Sequence, residues 1–220
     1  MDYRFVKTIE FNFNFGTLLS VDFSSCSKDI NIFNPTEEIF NEIKDCVKKR
    51  GIPDLFWFKG IGNSIEYSNS KQILEMIKET YPNQKIGVYL NCAIFQDKVV
   101  REDFYGCDLI AINLNTVDLL NFSQINKCPE SIEAIDVLEG IKEFRKHFKG
   151  KLGIYTMFLS GINDNIETIE NLKEFLIEVK PDHYSVSNYT LDGFKPVSDE
   201  FKKVIKEILN DVPFKVINML

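Results

Sequence analysis

Near its N-terminus the chain alternates strictly between apolar Ile9, Phe11, Phe13 and Phe15 and polar Glu10, Asn12 and Asn14, a period of two that predicts a strand. Gly16 interrupts the pattern, and Leu18 to Phe23 forms a second extended run. The spacing then changes. After Pro35-Thr36-Glu37-Glu38 the apolar positions are Ile39, Ile43, Cys46 and Val47, one face of a helix. Thr36 is suited to cap it, and the two acids favour its positive N-terminal dipole. Lys48, Lys49 and Arg50 followed by Gly51 predict its end.

The alternation of strand and helix continues to the last residues. Asp54 to Phe58, Lys85 to Leu90, Asp108 to Leu114, Lys151 to Leu159, His183 to Ser187 and Phe214 to Ile217 read as strands. Lys71 to Tyr81, a short segment near Asp97 to Phe104, Ile132 to Phe148 and Asp199 to Leu209 read as helices. Another helix opens at Asp164-Asn165-Ile166-Glu167, which has capping-box spacing with Asp164 as the cap, and ends near Lys180. Strands alternating with helices at about 30-residue spacing require parallel βαβ units with both faces of the sheet covered. Six such units precede a final strand. The count predicts an α/β fold, a parallel (β/α)6 partial TIM-type barrel preceded by a strand or hairpin. No Gly/Ser/Pro-rich linker divides residues 1–220, so a single domain is expected, its barrel core starting near residue 15.

Composition narrows the function classes. The 220 residues are 44% hydrophobic and 27% charged, ordinary for a globular chain that needs no disulfide or metal to hold a core. A net charge of −7 argues against general nucleic-acid binding, which draws on a basic surface. Met1 to Phe11 carries Asp2, Arg4, Lys7 and Glu10, unlike a signal peptide, and no apolar run is long enough to span a membrane. The five cysteines are odd in number and form no C-x-x-C pair, so reduced thiols in a cytoplasm are expected.

Ligands of parallel sheets bind at the carboxyl ends of the strands. Those positions carry Cys26, Lys59, Asn63, Asn91, Cys92, Asn113, Asn115, Lys127, Cys128, Asn188 and Tyr189. They are mostly amides, hydroxyls and thiols, a mouth fitted for binding more than for acid–base chemistry, which wants a histidine or paired carboxylates. His147 and His183 stand at a helix end and a strand start and read as solvated surface. Asp108 and Asp182, at strand starts, read as solvated or capping. Cys46 reads as core and Cys107 as an inert thiol at the closed end. No G-x-S-x-G, P-loop or H-E-x-x-H occurs, and Gly60-Ile61-Gly62 lacks the third glycine of a dinucleotide fingerprint. Lys59 is placed for a Schiff base or for snorkelling to water. Lys127 suits a ligand carboxylate or phosphate.

Several strings, in order, resemble the radical S-adenosylmethionine (SAM) superfamily, in particular its compact Fe–S oxidoreductase branch related to wyosine tRNA-modification enzymes. They are Phe15-Gly16-Thr17-Leu18-Leu19-Ser20-Val21-Asp22, Phe58-Lys59-Gly60-Ile61-Gly62-Asn63-Ser64 and Leu90-Asn91-Cys92. Phe122-Ser123-Gln124-Ile125-Asn126-Lys127, Gly140-Ile141-Lys142-Glu143-Phe144-Arg145 and Gly161-Ile162-Asn163-Asp164 follow. The resemblance implies a partial (β/α)6 barrel, a [4Fe–4S] cluster on C-x-x-x-C-x-x-C, and SAM. The matching positions are Cys26, Ile30 and Phe33; the acid expected in the glycine-rich turn is Asn63, and another usually acidic position is Tyr155. Ile and Phe offer no lone pair to iron. The expectation is therefore a radical-SAM-like protein without the standard cluster, binding a small molecule or serving a catalytic paralogue, with self-association open through the first strand. Two alternatives stand beside it. Cys26, Cys92 and Cys128 converge on an atypical iron–sulfur or zinc site, or remain three separate thiols; or Lys59 serves a Schiff-base lyase.

Overall fold

The computed structural model describes residues 6–12, 16–22, 36–61, 70–188 and 195–219. The fold is α/β, with strand order following chain order from β1 to β8. The described residues group into two compact units, one within residues 1–90 and 103–110, the other within 91–102 and 111–220.

In the first unit β1 (Val6–Asn12) and β2 (Gly16–Asp22) pair antiparallel, with Asn12 opposite Gly16. The N-terminal extended segment is thus a hairpin arm; Phe13 and Phe15 of the sequence alternation lie outside the described residues. Parallel pairing begins with β2 against β3 (Leu55–Ile61) and continues to β4 (Lys85–Asn91). Helix α1 (Thr36–Arg50) buries Ile39, Phe40, Ile43, Cys46 and Val47, the face its spacing predicts. Each such apolar side chain contributes about 1.5–3 kcal/mol when withdrawn from water. Gly51 ends α1 at φ +92°, its N–H donating to Val47 O at 2.9 Å, a left-handed turn that favours glycine. Helix α2 (Ser70–Thr80) buries Ile73, Leu74 and Ile77.

Strand β3 runs further than Phe58, to Ile61, because a register shift against β4 between Phe58 and Ile61 lets pairing resume beyond an irregularity. Lys59 and Gly60 therefore belong to the strand rather than to a turn after it. Lys59 is half-buried and stands in register with Asp22 of β2.

In the second unit β4 hands over to a 3₁₀ turn, Cys92–Gln96, and then to α3 (Lys98–Glu102). The short helix expected near Asp97 to Phe104 is α3; the 3₁₀ turn before it is not among the expected elements, and Asp97 separates the two with an extended backbone and a carboxylate that accepts from Val99 N at 2.8 Å. β5 spans Leu109–Asn113. A segment expected as loop contains a further helix, α4 (Phe122–Asn126), whose five residues are too few to show a helical period. Then follow α5 (Ala134–His147), β6 (Lys151–Phe158), α6 (Ile166–Val179), β7 (His183–Asn188), α7 (Asp199–Ile208) and β8 (Lys215–Met219). β6, β7 and β8 pair parallel in that order. Helix α6 is capped by Asn165, whose side chain accepts from Thr168 N at 2.9 Å. Asp164 is not the cap: its carboxylate accepts from Gly161 N in the preceding turn.

Strand starts share one device. Asp54 and Asp108 in the first unit, and Asp182 in the second, each use a carboxylate oxygen to accept from the backbone N–H of a neighbouring strand, from Thr17, Ile86 and Leu152, at 2.8–2.9 Å. Their own N–H groups donate to Thr17 O, Ile86 O and Leu152 O. Each reciprocal clip satisfies the amide of a strand's second residue and fixes its register. The capping reading of Asp108 and Asp182 is what the structure shows. Among the described residues no helix is long and apolar enough to cross a membrane.

Candidate functional site

At the carboxyl ends of β4, β5 and β6 the second unit holds a set of asparagines. Asn91 is buried; its Oδ1 accepts from Ala93 N at 2.9 Å and its Nδ2 donates to Asn126 O at 3.0 Å. Asn126, also buried, accepts from Asn115 N at 2.6 Å and Thr116 N at 3.3 Å and donates to Thr116 O at 2.9 Å. Asn113 and Asn115 exchange side-chain hydrogen bonds at 3.2 Å. Asn115 also accepts from Met157 N at 2.9 Å and donates to Ile125 O at 3.4 Å. A primary amide has two donor hydrogens and two acceptor lone pairs, so Asn115 has no capacity left for a ligand. These amides splint the strand ends to the loops beyond them.

Two members of the network, Asn126 and Asn163, are absent from the residues expected in the mouth. Asn163 is fully buried, donates to Asn115 O and Met157 O, each at 2.9 Å, and accepts from Leu159 N at 2.8 Å. Their signal lay in the strings that carry the family resemblance, Phe122 to Lys127 and Gly161 to Asp164.

Beside the amides stand two thiols. Cys92 opens the 3₁₀ turn and is fully buried; Cys128 follows α4 and is half-buried. Lys127, at φ 54°, takes the left-handed conformation that turns the chain, and Cys128 N then donates to Ser123 O at 2.9 Å. The Sγ atoms of Cys92 and Cys128 lie 3.9 Å apart, and Asn91 Oδ1 is 3.8 Å from the first and 3.6 Å from the second. Burial, reinforced by donation to Cys128, pushes the Cys92 thiol well above the ordinary range. That same hydrogen bond from Cys92 lowers Cys128, against an opposing effect of burial, and the Ala93 amide assists. Of the two thiols, the more accessible Cys128 is therefore the easier to deprotonate.

The remaining positions divide plainly. Lys127 is exposed. Asn188 ends β7, its backbone in register with Phe158 of β6. Cys26, Asn63 and Tyr189 lie outside the described residues. Cys46 and Cys107 are buried, and burial pushes Cys107 up to about 12, fitting an inert thiol. His147 is exposed beside Glu143 at 3.4 Å. His183 is not solvated surface: it is half-buried, edge-to-face with Tyr155 at 5.8 Å between ring centroids, because Gly153 opposite it leaves room for the ring.

Burial lowers His183, with Lys215 and Lys151 adding to the shift and Asp182 opposing it. The unfolded chain takes up a proton near the ordinary value of about 6.5, the folded chain only below it. The stability contributed by neutral His183 is therefore complete above that pH and is lost as pH falls through it. The urea midpoint of the wild type should drop relative to that of His183→Gln between about pH 7.5 and pH 5.5; a constant difference would show that the ring titrates alike in both states.

No protein-family model matches the chain. Solved structures do. A radical SAM methyltransferase from Sphaerobacter thermophilus superposes with a TM-score of 0.70 at 12% identity, covering 96% of this chain and 67% of that one. The fold resembles the TIM-type barrel of radical SAM enzymes. A domain of a pyruvate-formate lyase-activating enzyme from Bacteroides vulgatus covers 67% of this chain and 89% of its own, with a TM-score of 0.55 at 18% identity. An HMG-CoA lyase from Bacillus subtilis gives a TM-score of 0.54 at 11% identity over 87% of this chain and 63% of its own, so the radical-SAM-like likeness is one of fold. Among curated proteins, a UPF0026 protein of Methanocaldococcus jannaschii is 25% identical over 78% of this chain and 52% of its own length. A UPF0026 protein of Helicobacter pylori is 23% identical over 65% and 46%. GTPase Obg of Brachyspira hyodysenteriae is 24% identical over 70% of this chain and 22% of its own. The chain spans about half the length of the UPF0026 relatives and under a quarter of the GTPase.

The three positions that the family resemblance assigns to the cluster motif, Cys26, Ile30 and Phe33, lie outside the described residues. Cys26 alone of the three is a thiol; Ile30 and Phe33 have no donor atom. Among the described residues no group of three or more His, Cys, Asp or Glu side chains is placed to hold a metal ion.

Proposed function

We propose that this chain is a radical-SAM-fold protein that works without the standard [4Fe–4S] cluster, derived from the branch related to wyosine tRNA-modification enzymes. It acts in the cytoplasm, binding a small polar molecule or serving as partner subunit to a catalytic paralogue, and β1 is the strand through which it would associate. The observation that carries this reading is the pair Ile30 and Phe33 at two of the three cluster positions, within a chain whose fold resembles radical SAM enzymes. Asn63 in place of the turn acid points the same way. A scaffold outlasts the site it once carried, since fold and function are separable. A GTPase activity is not proposed, because the chain has no P-loop motif.

Anaerobic reconstitution with iron and sulfide, followed by desalting, iron analysis and visible absorbance, tests it. The expected result is no stoichiometric iron and no charge-transfer band. Bound iron with a spectral change on adding SAM would overturn it in favour of the second reading, a rearranged cluster whose expected ligands, Cys26, Cys92 and Cys128, Cys→Ser changes would then test. That reading is favoured by one observation, the 3.9 Å approach of Cys92 to Cys128.

A further inference from the structure

We propose that Cys92 and Cys128 form a redox-active dithiol that closes reversibly to a disulfide by exchange with a small-molecule disulfide. The two sulfurs are already in contact at 3.9 Å, and a disulfide would draw them to about 2.05 Å. The two segments are held to that spacing. Asn91 Nδ2 ties the β4 end to Asn126 O, and Asn91 Oδ1 faces both sulfurs. The left-handed turn at Lys127 delivers Cys128 to the pair. The two residues are 36 apart in sequence, and of the three thiols expected near the strand ends these two meet.

The division of labour follows from accessibility. Cys128 is half-buried and Cys92 has no exposed surface, so an external disulfide meets Cys128. The Cys128 thiolate attacks one sulfur of that disulfide, forming a mixed disulfide and expelling the first thiolate. Cys92 then gives its proton to a leaving thiolate and attacks Cys128 Sγ, forming the intramolecular bond and releasing the second thiol. The two cysteines are oxidised, and one external disulfide is reduced to two thiols. Exposed Lys127, adjacent in sequence to Cys128, favours an anionic reagent such as oxidised glutathione.

The test uses the full chain, reduced, freed of metal and small thiols, then incubated with oxidised glutathione, denatured and alkylated. Two of the five cysteines should escape alkylation, a peptide map should join Cys92 to Cys128, and dithiothreitol should restore both. The Cys92→Ser chain should accumulate one glutathione adduct at Cys128, while Cys128→Ser should take up none at Cys92. Retention of all five thiols, or a bridge from either residue to Cys26, would overturn the proposal. The wild-type map decides by itself if a variant fails to fold, and because the protein is metal-free the result is independent of the reconstitution experiment.

Discussion

Replacing Asn163 by alanine is expected to destabilise the chain by about 3–4 kcal/mol, read as a shift in the urea midpoint at unchanged slope. Its side chain is fully buried and makes three hydrogen bonds to backbone, two donated to Asn115 O and Met157 O and one accepted from Leu159 N. Alanine leaves all three partners without it. An unsatisfied buried polar group costs about 1–3 kcal/mol, and neighbours or water recover part of that. Asn163→Asp discriminates further. It retains the shape and the acceptor but turns both donated bonds into contacts between a carboxylate and two carbonyl oxygens, so it should be at least as damaging as alanine. A loss below about 1 kcal/mol for both variants would mean that the loop rearranges to satisfy its own backbone.

The same residue shows what was legible in the sequence. The α1 face of Ile39, Ile43, Cys46 and Val47, with its acidic start and Gly51 stop, is written within 16 residues, and the structure reproduces it. Parallel pairing of β2, β3 and β4 follows from alternation over comparably short spans. Asn163 instead answers to Asn115, 48 residues earlier, and Cys92 to Cys128, 36 residues later. No local period encodes such partnerships. An asparagine at a strand end reads equally well as ligand donor or splint, and only the positions of the backbone groups around Asn115 show its hydrogen bonds already spent. His183 departs from its sequence expectation for a related reason. A strand start suggests solvent, but the room for its ring comes from Gly153 on the adjacent strand. The cap of α6 moved by one residue, from Asp164 to Asn165, because both carry a suitable side chain and the turn at Gly161 claims the first.

Gly140→Ala is expected to destabilise by about 2–3 kcal/mol although alanine is the better helix former by about 1 kcal/mol. Gly140 sits inside α5, where a glycine is a standing cost unless closeness demands it. Here it does. A Cβ on Gly140 would fall on the carbonyl of Phe95 in the 3₁₀ turn and lie 2.6 Å from Arg101 Nη1. Neither can yield alone, because the buried Arg101 guanidinium donates to that same Phe95 carbonyl oxygen. Withdrawing α5 instead would open the edge-to-face contact of Phe95 with Phe144, at 5.2 Å, and disturb the stack of Phe144 on Phe148, at 4.8 Å. The test is equilibrium urea unfolding of Gly140→Ala beside Gly106→Ala, where a Cβ meets nothing within 4 Å and little loss is expected. A stabilised Gly140→Ala would show that helix propensity outweighs the contact. Since the 3₁₀ turn begins at Cys92, a displaced turn should also slow closure of the Cys92–Cys128 bridge. Loss of stability together with slower closure would tie the helix contact to the spacing of the thiols.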